Sequence, residues 1–118
     1  YADVVLMAAE AANEIGNTDL ALDYLEQVRA RARGSNPDVL PPVTTTDQEE
    51  LRQAIRHERQ VELAMENERF FDLVRWGIDV DTFHAAGKTG YQTKHRFLPI
   101  PQVEIDRSGG VLIQNPNY

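Results

Sequence analysis

The stretch from Asp47 to Arg75 holds eight carboxylates, five arginines and no lysine. Leu51 and Ile55 set one face of a helix, and the same row continues through Glu58, Glu62 and Met65. Two carboxylates therefore fall where the pattern asks for apolar side chains. A buried carboxylate without a partner is expensive, so both need cations. Arg69, Asp72 and Arg75 follow at spacings of three, alternating in charge if the helix continues. Arginine suits this work, because its planar fork can bind a carboxylate through two hydrogen bonds and an ammonium cannot. The pattern reads as a structural ion-pair network of Glu58, Arg59, Glu62, Glu66, Arg69, Asp72 and Arg75.

Two reactive readings compete with it. Glu58 and Glu62 have the residue type of a glycosidase acid and nucleophile, but that chemistry needs carboxyl groups roughly 5 Å or 6.5–9.5 Å apart on either side of a sugar ring. Neighbours on one helix face flank nothing, and nearby arginines lower the pKa that a general acid needs raised. A carboxylate-bridged metal site in a bundle needs Glu-x-x-His pairs. No glutamate stands three before His57, His84 or His95, and only Asp81 before His84 comes close. There is no cysteine, which excludes disulfides, thiol catalysis and cysteine metal sites. Nor is there a glycine-rich phosphate loop or a Gly-x-Ser-x-Gly elbow. The expectation is a non-enzyme with no metal and no cofactor.

The aromatics are the other chemistry. Phe70 and Phe71 stand among Leu73 and Val74 and read as core. Trp76, beside Gly77, reads as core or as a ring offered to a sugar, and Tyr91, in the polar loop Gly87 to Arg96, as an exposed stacking ring. Tyr91 and Trp76 are thus the two candidate glycan-binding residues. The net charge of −7 argues against nucleic acid. No apolar run approaches the roughly 18 residues of a membrane span.

The elements that must position these groups are helical. Ala2 to Ile15 is dense in Ala, Val, Leu and Met, and Gly16 suits the residue just past a helix end. Asn17, Thr18 and Asp19 offer caps for a second helix from about Leu20 to Arg33, with Leu22, Leu25 and Val28 mostly three or four apart. Two helices so closely joined pack antiparallel. Tyr1 to Gly34 has the length of a tetratricopeptide repeat, and Ala9 and Ala21 suit its close contact, although a generic hairpin remains open. Residues 35–45 are a proline-bearing loop. Thr46 and Glu49 suggest a capping box for a third helix running to about Glu66, with Asn67 as a left-handed break and a further helix from Glu68 to Trp76. A short helix over Val80 to Ala86 precedes a loop-rich tail with one helical turn near Val103 to Asp106. At 118 residues the chain is expected to form one domain: a tetratricopeptide-like pair over 1–34, helices over 46–86 and an irregular tail over 87–118. Because it opens on tyrosine, it is expected to be a segment of a longer protein.

In these helices and this tail the chain resembles the C-terminal part of the SusD/RagB family. The residues that carry the resemblance are Glu58-Arg59, Glu62-Leu63, Glu66, Arg69, Asp72-Leu73 and Arg75-Trp76-Gly77. Phe97-Leu98-Pro99-Ile100-Pro101, Glu104-Ile105-Asp106 and Gln114-Asn115-Pro116-Asn117-Tyr118 continue it in the tail. Leu6 to Ala11 and Val28 to Ala32 add the first hairpin. Asparagine replaces the family's usual glycine at Asn67 and Asn117, which puts the two local turns in question.

The resemblance implies a mainly α, SusD-like fold. It also implies an outward-facing lipoprotein of the bacterial outer membrane, held by an N-terminal lipid anchor outside this segment. Such proteins bind oligosaccharides, or in some members peptides, without catalysis. Their partner is a SusC-like TonB-dependent transporter. No sugar-contact residue is carried over, because none of the matching motifs is one. The alternative is a helical protein-interaction scaffold, a tetratricopeptide-like docking module with no ligand site of its own here.

Overall fold

Leu6, Ala9 and Ala21 have no exposed surface, so the first two helices approach as closely as their small residues allow. The computed structural model describes residues 1–118 and is helical, without strands. Its elements are α1 (Ala2–Glu14), α2 (Thr18–Arg33), α3 (Gln48–Glu62), α4 (Arg69–Trp76), α5 (Asp79–Ala85), a 3₁₀ turn (Thr93–Arg96) and α6 (Gln102–Arg107). The mainly α fold expected from the sequence is the fold observed. The chain divides into two compact units, Tyr1–Arg69 and Phe70–Tyr118.

In the first unit α1 and α2 form the hairpin, and α3 lies against both, chiefly α1. Val5, Leu6, Ala9 and Ala12 meet Ala21, Leu25 and Val28 of α2 and Leu51 and Ile55 of α3 in one core. The hairpin turn follows from backbone chemistry. Gly16 takes φ 79°, its N–H donates to the Asn13 carbonyl at 3.0 Å, and the Asn17 N–H donates to that of Ala12 at 2.8 Å. This paired closure satisfies the last carbonyls of α1 and sends the chain back. The Asn17 side chain then accepts the Leu20 N–H, so α2 begins at Thr18, ahead of the expected Leu20.

Two sequence expectations for α3 are corrected. Its cap is Asp47, whose carboxylate accepts the Glu50 N–H at 2.9 Å, and not Thr46. A charged acceptor at the positive helix end outcompetes a neutral hydroxyl one residue earlier. The helix also ends at Glu62 rather than Glu66, because both Met65 (φ 70°) and Asn67 (φ 65°) are left-handed. Met65 consequently leaves the buried row and is 98% exposed. At the other end Gln48 Nε2 donates to the Asn13 carbonyl at 2.6 Å and Asn13 Nδ2 to the Gln48 carbonyl at 3.0 Å, fastening α3 to α1.

The second unit is held differently. Side-chain amides take over what a strand ladder would do in its tail. The Ile100 N–H donates to Gln114 Oε1 at 2.8 Å, Gln114 Nε2 returns to the Ile100 carbonyl at 2.9 Å, and Asn115 Nδ2 reaches the Leu98 carbonyl at 2.6 Å. The Tyr118 hydroxyl donates to the Phe97 carbonyl at 2.9 Å. The helical turn expected near Val103 is α6. The 3₁₀ turn at Thr93–Arg96 was not expected, and it closes with the Gln92 N–H donating to His95 Nδ1 at 2.9 Å.

Gly16→Ala tests the hairpin turn. Nothing stands within 4 Å of a Cβ built there, so its whole cost is the left-handed backbone. Urea unfolding should show a loss of about 1–2 kcal/mol, and Gly16→Asn a smaller one.

Candidate functional site

The buried carboxylates are met by arginines, and the partners come mainly from other helices. Glu58, on the row of Leu51 and Ile55, is buried and accepts Arg29 Nη1 of α2 at 2.6 Å. The other arm of Arg29 donates to the Pro41 carbonyl at 2.8 Å, so one guanidinium ties α3, α2 and the loop together. Arg59 is buried as well and pairs with Asp3 of α1 at 2.9 Å. Glu62 is half-buried against Arg31, which stands in solvent. Arg52 grips Glu14 through Nε at 2.6 Å and Nη2 at 2.9 Å, and this hydrogen bonding holds the Glu14 carboxyl below its ordinary range.

Beyond α3, Glu66 is exposed in the connection and Arg69 half-buried. Asp72 is buried and bonded to Arg75 at 3.0 Å. The seven residues thus do not run as one alternating row, since the helix that would align them is broken at Met65 and Asn67.

In the second unit the strongest polar centre is Asp79, at the start of α5 and with no exposed surface. Arg96 Nε donates to its Oδ2 at 2.8 Å and Nη2 to its Oδ1 at 2.5 Å, and the Tyr91 hydroxyl adds a third bond at 2.9 Å. The Arg96 hydrogen bonds, opposed by burial and helped by Tyr91, hold the carboxyl down at about 2. Burial and the Asp79 charge push the Tyr91 hydroxyl up.

Tyr91 is therefore not the exposed ring expected of a polar loop. Its ring lies 4.5 Å from Phe83, 6.5 Å from Phe70 edge-on and 5.6 Å from His95, centroid to centroid. His84 Nε2 donates to its carbonyl at 2.8 Å. The loop folds inward because α5 supplies both a ring and a carboxylate to receive it, which local polarity does not reveal. Trp76 is half-buried at the end of α4, with the Arg75 guanidinium 4.8 Å from its ring centre. Tyr91 thus packs on Phe83 in the second unit's ring cluster, and Trp76 lies beside the Arg75 guanidinium. Reading by type and spacing missed Asp79, Arg96, Arg29 and Asp3. Only the rule that a buried acid needs a cation pointed to their existence, and it could not name the partner.

Residues 1–118 match the model of the SusD family. The chain is 35% identical to "SusD-like protein P2" of Formosa agariphila, over 100% of this chain and 25% of that protein. It is 38% identical to "SusD-like protein P25" of the same organism, over 88% of this chain and 20% of that protein. The chain thus spans a quarter or less of the length of these relatives. No solved structure matches it.

Two predictions follow from the pairs. Glu58→Gln leaves Arg29 charged in a covered site and should cost about 3–5 kcal/mol in the natural full-length protein, whereas Arg31→Ala should cost about 0–1. Equal denaturation midpoints for the two would place Glu58 at the surface. For Asp79, the folded pKa of about 2 lies below the ordinary aspartate value of 3.8, so its contribution is present above pH 4 and is lost as pH falls toward 2. In urea unfolding followed by near-ultraviolet dichroism of the tyrosines, Asp79→Asn should be less stable than the natural protein above pH 4, and the gap should narrow as pH falls toward 2.

Proposed function

The chain belongs to the SusD/RagB family, and on that premise we propose that it is part of a non-catalytic glycan-binding protein that works with a SusC-like, TonB-dependent transporter in outer-membrane uptake. The proposed location is the outer face of the outer membrane, with attachment by a lipid anchor rather than by a helix of this chain. No helix here is long and apolar enough to cross a membrane. The observation that carries the reading is the family match over residues 1–118, with relatives at 35–38% identity.

The electrostatics support binding over hydrolysis. Glu58 and Glu62, the pair weighed above as a glycosidase dyad, are each held by an arginine. In this reading they are scaffold, and so are Tyr91 and Trp76: Tyr91 shores up the tail and Trp76 ends α4. A second reading, a docking module, is favoured by the outward face of α1. Val4 and Met7 there, and Ile15 just past its end, are exposed on a helix that is apolar nearly all round.

Affinity gel electrophoresis of the natural full-length protein on a polysaccharide panel tests the first reading, together with co-purification of a TonB-dependent transporter from detergent-solubilised outer membranes. Retardation on at least one glycan, a co-purifying transporter and no sugar release are expected. Co-purification with no retardation on any glycan would favour the docking module, and release of reducing sugar would overturn both.

A further inference from the structure

Phe97 leaves its ring 66% exposed, at a point where the backbone around it is held firmly. Tyr118 donates to the Phe97 carbonyl, Asn115 Nδ2 to that of Leu98, and Lys94 Nζ to that of Asn117 at 3.1 Å. These bonds bring the 3₁₀ turn and the last residues of the tail together around a cavity of about 190 Å3, lined by Thr93, Lys94, Phe97, Asn115, Pro116 and Asn117. Its walls are therefore fixed before anything binds, which lowers the entropy cost of binding.

Size and chemistry narrow the occupant. The volume equals about six water molecules at roughly 30 Å3 each, and falls short of the roughly 300 Å3 at which sites for drug-sized ligands begin. One ring fills it, and the other units of a longer chain would lie outside its open mouth. Phe97 and Pro116 offer flat apolar surface, while Thr93, Asn115 and Asn117 offer a hydroxyl and neutral amides. A pyranose presents the same two faces, C–H groups on one side and hydroxyls around its rim. Lys94 is the one charged residue in the wall, so the site suits a neutral or acidic sugar and disfavours an amino sugar.

We propose that this cavity is a monosaccharide subsite, in which one unit of a glycan stacks on Phe97 and hydrogen-bonds to Thr93 and Asn117. The proposal rests on the glycan-uptake reading and places part of the ligand surface in the tail.

The test is affinity gel electrophoresis of the natural full-length protein and two variants on pullulan, xylan, laminarin, pectin and alginate, with melting temperatures measured alongside. Phe97→Ala should weaken binding about tenfold on the glycan that retards the parent. Asn117→Gly should weaken it about two- to tenfold without lowering the melting temperature, because it removes only an amide from a position at φ 71°, which glycine adopts freely. This second variant decides the matter if Phe97→Ala also loosens the tail. Both variants binding as tightly as a retarded parent would overturn the subsite and leave the uptake reading standing. A parent retarded on none of the five would overturn the reading beneath it.

Discussion

A carboxylate taken out of water must be met by a cation, and each unit of this protein is organised around such a meeting. In the first unit it is Glu58 with Arg29, in the second Asp79 with Arg96. The consequence reaches past the pair itself. A buried ion pair adds little net stability over an apolar pair of the same volume, but breaking it is severe. If α3 slipped by one turn along α2, Glu58 would leave the Arg29 guanidinium that meets it at 2.6 Å. The apolar residues Leu51 and Ile55 would tolerate that slip far better. Burial thus drives the three helices together, and the charge selects their register.

The two units solve the problem of order by different means. In the first, nine buried apolar side chains from three helices form one cluster, and polar bonds such as Asn13 with Gln48 only trim its edges. In the second the tail is stitched by side-chain amides and one tyrosine to backbone carbonyls, with rings packed around Tyr91. Each such hydrogen bond is worth about 0.5–1.5 kcal/mol net, and several must hold together. Order of that kind is local and cooperative. It fixes the positions of a few side chains closely without requiring a large core, which is the property a shallow recognition surface needs.

This division also decides what could be read from the sequence. The hairpin was legible because periodic apolar residues and a glycine at its bend are local signals, and the core residues Ala9, Ala21, Leu25 and Val28 were visible in that spacing. The need for partners on Glu58 was legible too, from the row it shares with Leu51 and Ile55. The identity of the partner was not. Arg29 lies twenty-nine positions away, and nothing in the spacing of α2 distinguishes it from Arg31 or Arg33. The tail was the least legible part. Tyr91 reads as exposed when its neighbours are Gly90 and Gln92, and becomes a packed ring only when α5 brings Phe83 and Asp79 beside it. Asn67 marks where local reading succeeded again, taking the expected left-handed backbone at φ 65°, and Asn117, whose turn was in question, takes it at φ 71°.

The state of the carboxylates bears on the kind of work the chain can do. A general acid must hold its proton near neutral pH, so it needs an apolar site or a neighbouring negative charge to push its pKa up. Here the displaced carboxyls move the other way. Hydrogen bonds from Arg52, Arg33 and Gln53 lower Glu14, Glu26 and Glu49, and Arg96 holds Asp79 at about 2. These groups are fixed ions whose charge positions a guanidinium or a helix end, and a fixed ion neither gives nor takes a proton at working pH. An array of this sort keeps its geometry whatever passes over it. That is a poor arrangement for acid–base catalysis and a good one for holding helices and turns in register.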